Sequence, residues 1–288
     1  SGQRSAVSGQ RSAVNGQWSA VSRQPSAISV QHSAVRGSRV RIAVCLKRVP
    51  DTTTKILIGA DGKSIDESGV KFVPNPYDEY ALEEALKLKE AAGSGETVVY
   101  CLGCDAAQET IRTALAMGFD RGVLLQAAPT ADGFEVAKAL AADLKDGGFD
   151  LILFGKLAVD DYNHQVGVMV AELLERPCIT AVSHLVVAGT AVTAEREIEG
   201  GIETVTASLP AVLSCEKGLN TPRLPSLKGI MAAKKKPLEL KPVSLGAGSV
   251  TVLGLALPPE RKPGQIVGEG PDAVPALVRL LREDAGVI

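Results

Sequence analysis

The run Gly155–Val166, GKLAVDDYNHQV, carries the densest chemistry of the chain. It leaves the apolar stretch Asp150–Phe154 (DLILF), which reads as a buried strand, and enters a helix expected from about Asn163 to Leu174. The free N–H groups and the dipole of such a helix start favour a phosphate. Asp160 and Asp161 are the residue type that holds Mg²⁺, but adjacent acids rarely point the same way, so no metal is read here. His164 stands alone and reads as a helix-surface or capping residue. Neither G-x-G-x-x-G nor G-x-x-x-x-G-K-[ST] occurs, so the usual dinucleotide and P-loop readings lack their glycines.

Cys101-Leu102-Gly103-Cys104 has C-x-x-C spacing after a strand. A redox pair would need a thiolate at a helix N-terminus, which Cys104 could supply; zinc would need two further ligands, and no second pair exists. The spacing is read as fortuitous. With three His in the chain and no Ser/His/Asp or Cys/His set, little is left for acid–base catalysis. The other unusual stretch is Leu219–Pro237, LNTPRLPSLKGIMAAKKKP. Pro222 and Pro225 exclude a regular helix at its start, so it reads as a loop. Read from its residues, it is either a linker with a solvated charge run at Lys234, Lys235 and Lys236, or a contact surface whose apolar residues include Leu227 and which those lysines flank.

These segments sit in an alternating pattern. Strands are expected at Val40–Leu46, Thr97–Leu102, Gly122–Gln126 and Asp150–Phe154, and helices at Asp78–Ala92, Asp105–Met117 and Asp132–Lys145. A hairpin turning at Asp61-Gly62 is expected within Lys55–Asp66. Ile179–Val187, Val192–Ile198, Thr204–Leu209 and Pro210–Cys215 read as strands, and the tail as a strand Val250–Leu257 and an amphipathic helix Asp272–Arg282. Strands alternating with helices imply parallel βαβ units with right-handed crossovers. The expected fold class is α/β: an open, mostly parallel sheet with helices on both faces, a β-rich segment and an extended C-terminal arm. In such a sheet ligands bind beyond the carboxyl ends of the strands, where the strand order reverses.

Composition agrees with a globular α/β chain: 45% apolar, 22% charged and only 3% aromatic. The net charge of −2 gives no reason to expect nucleic acid, and no apolar run reaches the ~18 residues of a membrane span. Five cysteines, four of them in apolar runs, read as buried thiols of a reducing compartment. Residues 1–39 differ in kind, holding five near-copies of a heptad such as SGQRSAV. Adjacent apolar positions exclude a coiled coil, and Gly, Ser and Gln cannot bury a core, so this extension is expected to be disordered. It contains Trp18 and five Arg; without it the chain has 26 basic against 33 acidic residues. The folded part is expected as a nucleotide-binding domain over 40–237, with its contact loop at 215–237 and an arm over 238–288.

From Val40 to about Pro242 the chain closely resembles the β subunit of electron transfer flavoproteins. The stretches that carry the resemblance are LKRVPDT, NPYDEYALEEALKLKE, ETIRTALAMGFDRG, DLILFGKLAVDD, EREIEGGIET, LPAVLSC and LNTPRLPSLKGIMAAKKKP. The resemblance implies an adenine-nucleotide α-hydrolase-like fold and a heterodimer. That heterodimer takes electrons from acyl-CoA and related dehydrogenases and passes them to a membrane-bound quinone oxidoreductase, as in fatty acid oxidation. It implies FAD held mainly by an α subunit, and a structural AMP in the β subunit. The AMP positions it implies are Cys45, Asn75, Pro76, Tyr77, Asp78, Leu102, Gly155, Lys156, Leu157, Ala158, Val159, Asp160, Asp161, Tyr162, Asn163, His164, Gln165 and Val166. Thr52 falls where many relatives place a flavin-facing Tyr, and Glu197 where an acidic residue bridges the subunits. Leu227, with Pro225 and Lys228 beside it, falls in the loop that docks the dehydrogenases, and the arm is expected to pack on the α subunit. The implied location is bacterial cytoplasm, or the mitochondrial matrix in a eukaryote.

The chain departs from the family at His164-Gln165-Val166, where many relatives have Asn-Gln-Thr; the lost Thr hydroxyl removes a phosphate donor. Electron-bifurcating relatives hold a second FAD in place of AMP, and the bulk of Tyr162 and His164 opposes that alternative here. A stand-alone adenine-nucleotide enzyme or sensor is the alternative of another class; it would need a Ser-Gly-Gly-type loop after the first strand, and Leu46–Thr52 has none.

Overall fold

The computed structural model describes residues 39–128, 132–260 and 263–288. The heptad repeats and Trp18 lie outside the described residues. The chain forms β1 (Val40–Cys45), β2 (Arg48–Pro50), β3 (Phe72–Pro74), α1 (Pro76–Ala92), β4 (Gly95–Gly103), α2 (Ala107–Met117), β5 (Arg121–Gln126) and α3 (Gly133–Leu144). Then follow β6 (Leu151–Gly155), α4 (Val166–Leu173), β7 (Cys178–Ala188), β8 (Ala191–Ile198), β9 (Gly201–Ser208) and β10 (Ala211–Cys215). The chain ends with α5 (Leu227–Ala233), β11 (Leu238–Pro242), a 3₁₀ turn and α6 (Val274–Glu283).

Nine strands make one sheet in the order β11-β5-β4-β1-β6-β10-β7-β8-β9. All neighbours from β11 to β7 are parallel; β7, β8 and β9 pair antiparallel. The expected α/β class, with helices on both faces, is the observed one. Alternation along β1 shows why. Ile42 and Val44 belong to the apolar layer under α1 and α2, whereas Ala43 and Cys45 belong to the layer under α3 and α4. From β1 the chain crosses to β4 on one side; from β6 it leaves toward the other. The β1 and β6 loops therefore part at a switch point.

Several elements differ from expectation. The helix expected from Asp78 begins at Pro76, which sits in its first turn, a position that needs no N–H. The helix expected from Asn163 starts at Val166, because Tyr162 (φ 55°) and His164 (φ 54°) hold the chain in left-handed backbone. The hairpin at Asp61-Gly62 reduces to one bridge, Ile58 to Ile65. The contact loop contains a helix, α5: its prolines precede the Ser226 cap, whose hydroxyl accepts the Gly229 N–H at 3.0 Å. No strand forms over 250–257; instead Leu238–Pro242, at the start of the expected arm, adds to the edge of the sheet beside β5. Cys178, expected buried, is exposed at the start of β7, and Cys104 is exposed too.

Leu153 in β6 is fully buried, paired between β1 and β10. Leu153→Ala is expected to lower unfolding free energy by about 2–5 kcal/mol, read from the urea midpoint.

Candidate functional site

The carboxyl ends of β1, β4, β6 and β10 open into a cleft of about 880 Å³, within the ~300–1,000 Å³ range of small-molecule sites. All twelve residues from Gly155 to Val166 line it, with Cys45, Leu102, Asp78 and Thr52. Asn75, Pro76 and Tyr77 lie outside its wall, and so does Glu197, exposed on β8.

Asp78, on the first turn of α1, is almost fully buried. One oxygen accepts the Lys47 N–H at 2.7 Å; the other accepts the Gly155 N–H and the Asn75 amide, both at 3.0 Å. One carboxylate thus joins the loop after β1 to the loop after β6. Asn75 completes the tie. Its Nδ2 donates to the Leu157 carbonyl at 2.7 Å, and its Oδ1 accepts the Val159 N–H at 3.1 Å. The side-chain amide of Asn75 is spent on shaping the 155–166 loop. Gly155 is required by this closeness, because a Cβ there would lie 2.3 Å from Asp78 Oδ1.

Cations line the same space. Lys47 Nζ crosses the cleft to Asp160 at 2.8 Å and Asp161 at 2.9 Å. Burial alone would pull the Lys47 ammonium down, but the two carboxylates outweigh it and hold it above its ordinary value. The pair of acids is thereby engaged by a lysine, a role that their adjacency in sequence does not reveal. Among the described residues no group of three or more His, Cys, Asp or Glu is placed to hold a metal ion. Lys156 pairs with Glu216; that bond first, with Tyr77 and Glu197 adding to it, holds its ammonium above the ordinary value. The first turn of α4 has no side-chain cap and enters the cleft with Val166, Gly167 and Val168. An uncapped helix start beside lysines, with a glycine at the strand end, suits a phosphate. Apolar walls come from Leu102, Val136, Leu140 and Val212, which suit a flat, weakly polar ring.

The two cysteines of the C-x-x-C stretch differ in setting. Cys101 is buried in β4 and burial pushes its thiol up to about 12, whereas Cys104 is exposed. Sequence reasoning missed Lys47, Arg48, Ser214 and Gly133 in the cleft wall. Gly133 could have been suspected only from three dimensions: a Cβ there would come within 2.6 Å of Gln165 Nε2.

The fold and the cleft define an α/β protein with an anion-suited crevice at the switch point of its sheet. A family model described as electron transfer flavoprotein domain matches residues 63–245. The chain is 42% identical over 233 residues to electron transfer flavoprotein subunit beta of Syntrophomonas wolfei, covering 81% of this chain and 92% of that one. Against the proteins of the same name from Bacillus subtilis and Homo sapiens the identities are 41% over 260 residues and 39% over 253. These cover 86% and 85% of this chain and 100% and 99% of theirs. The chain belongs to the electron transfer flavoprotein β-subunit family.

Two outcomes follow from the loop tie. Gly155→Ala is expected to push Asp78 away and cost about 1–3 kcal/mol of stability, read by urea unfolding. Burial holds the Asp78 carboxyl up at about 7, well above the ~3.9 of an unfolded chain. Between those values the folded chain keeps a proton that the unfolded chain has lost. Its contribution is therefore fully present below about pH 4 and declines as pH rises toward 7. The stability of the parent relative to Asp78→Asn should fall across that window and level off above about pH 8; a constant difference would contradict the assignment.

Proposed function

We propose that the chain is the β subunit of a heterodimeric electron carrier. Its α partner holds most of an FAD, and the cleft between the β1 and β6 loops holds AMP as a structural ligand. Electrons arrive from acyl-CoA and related dehydrogenases and leave to a membrane-bound quinone oxidoreductase. Among the described residues no helix is long and apolar enough to cross a membrane, so the chain meets that reductase from outside the bilayer in this reading.

The chain's residues fit AMP. The uncapped start of α4 and Lys156 stand where a phosphate needs donors, and the apolar walls suit an adenine. Bound FAD supplies the redox centre; Thr52, exposed at the cleft rim, is the residue of this chain proposed to face it. Glu197, exposed near the tip of the β8–β9 hairpin, is proposed to meet the α subunit. The arm after β11 is proposed to pack on that subunit too, through Val274, Leu277 and Val278, which α6 leaves exposed.

One observation carries the docking role: an exposed apolar patch on a rigid mount. Leu224 is 90% exposed, Leu227 83% and Met231 73%. Arg223 holds the backbone before them, bonding Glu83 at 2.8 and 2.9 Å and Glu90 at 2.6 and 3.1 Å. Asn220 donates to the Tyr80 carbonyl and to Glu84. Gly229 lies so close to α2 that a Cβ would be 2.3 Å from the Ala116 carbonyl oxygen. Of the three lysines expected as a flank, Lys236 is folded inward, donating to the Leu115 and Phe119 carbonyls at the end of α2. Only Lys234 and Lys235 are exposed. An apolar anchor on a pre-ordered frame loses little entropy on docking. Pro225 is half-buried beneath the patch and Lys228 is exposed on it.

A central anchor of this kind typically contributes about 2 kcal/mol or more, roughly thirtyfold in affinity. Leu227→Ala is expected to raise the KM for an acyl-CoA dehydrogenase donor by about that factor, with flavin content unchanged. An unchanged KM would overturn the docking role.

A further inference from the structure

The segment that leaves β11 does not simply trail away toward α6. It crosses from α3 to the 58–65 turn, and both landing points border the cleft. At the α3 end the Gly246 N–H donates to Glu135 at 2.8 Å, and the Ser249 and Val250 N–H groups donate to Asp132 Oδ2. Asp132 is the N-cap of α3, and its other oxygen accepts the Phe134 N–H at 2.9 Å. Glycine fits this landing for two reasons. A Cβ on Gly246 would lie 2.7 Å from Glu135, and Gly248 turns at φ +70° directly over Asp132. The Gly-Ala-Gly-Ser-Val sequence thus lays three backbone N–H groups on two buried carboxylates. At the other end a single bond fastens the segment: the Leu255 N–H donates to the Gly62 carbonyl at 2.8 Å. Leu255 is itself part of the cleft wall, together with Lys63, Ser64 and Ile65 of the turn.

We infer that residues 246–255 are a strap over the mouth of the cleft, hinged on Asp132 and Glu135 and latched at Gly62, so that a nucleotide in the cleft leaves only when the latch opens. The inference rests on the reading of the cleft as a nucleotide site. The two ends differ in strength in the direction a latch requires. Hydrogen bonds to a carboxylate are about twice as strong as neutral ones, and the hinge has three of them against one neutral bond at the latch. Opening therefore begins at Leu255.

The test uses the chain co-produced with its second subunit and loaded with radiolabelled AMP, released into excess unlabelled AMP. Leu255→Pro deletes the latch N–H and leaves the hinge in place. The expected result is release about threefold to tenfold faster than from the parent, the yield of one neutral hydrogen bond. Gly248→Val, which strains the hinge, should also speed release. Hydrogen exchange at the Leu255 amide of the parent should slow when AMP is bound, a readout that needs no variant. If the parent holds AMP but release is unchanged in both variants and Leu255 exchanges equally with and without AMP, the strap is overturned and the cleft reading stands. If the parent retains no AMP, the cleft reading falls and the strap falls with it.

Discussion

A single buried carboxylate sets the geometry on which the rest of the site depends. The β1 and β6 loops leave adjacent strands in opposite directions, and a switch point alone would leave a gap between them. Asp78 closes the gap at its base by taking a backbone N–H from each loop, at Lys47 and Gly155. Asn75 then fixes the outer course of the β6 loop through Leu157 and Val159. With the loop held there, Asp160 and Asp161 meet the Lys47 ammonium, and the uncapped end of α4 faces the cleft. Removing the tie would leave two buried backbone donors unpaired, each costing about 1–3 kcal/mol, so the loops would have to find another course.

The same economy shapes the proposed docking face. A charged residue, Arg223, and a cap, Lys236, are turned inward to hold the backbone, while leucines and a methionine are left outside. That inversion of the usual pattern is what supports the proposed docking role. Glu83 and Glu84 are among the most buried residues of α1, and they serve this mount through Arg223 and Asn220.

Much of this was legible in the sequence. Apolar runs of buried parallel strands, separated by helical stretches, gave the α/β class, and glycine at the end of DLILF marked the cleft loop. What escaped was whatever depends on a distant partner. Leu238–Pro242 is short, half-exposed and ends in proline, so nothing in it announces an edge strand; pairing with β5 makes it one. Residues 250–257 are more apolar and look more strand-like, yet they form no strand; Val250 and Leu255 give their N–H groups to Asp132 and Gly62. The seven residues of α5 are too few to form a helix by propensity and depend on the Ser226 cap and on α2. The residue type of Asn75 does not reveal that its amide bonds the Leu157 carbonyl and the Val159 N–H. A sequence reports that a polar residue stands in a motif; it does not report which atoms the fold has already used.

Two features that no single residue explains support the proposed function: a tied cleft, proposed to hold a structural nucleotide, and a rigid apolar patch, proposed to dock an electron donor. The occupant of the cleft is the central question. The direct measurement is the nucleotide released by acid from the purified heterodimer, separated and quantified against protein. AMP and FAD in equal amounts, one of each per heterodimer, is the result the account predicts; two FAD per heterodimer with no AMP would contradict it.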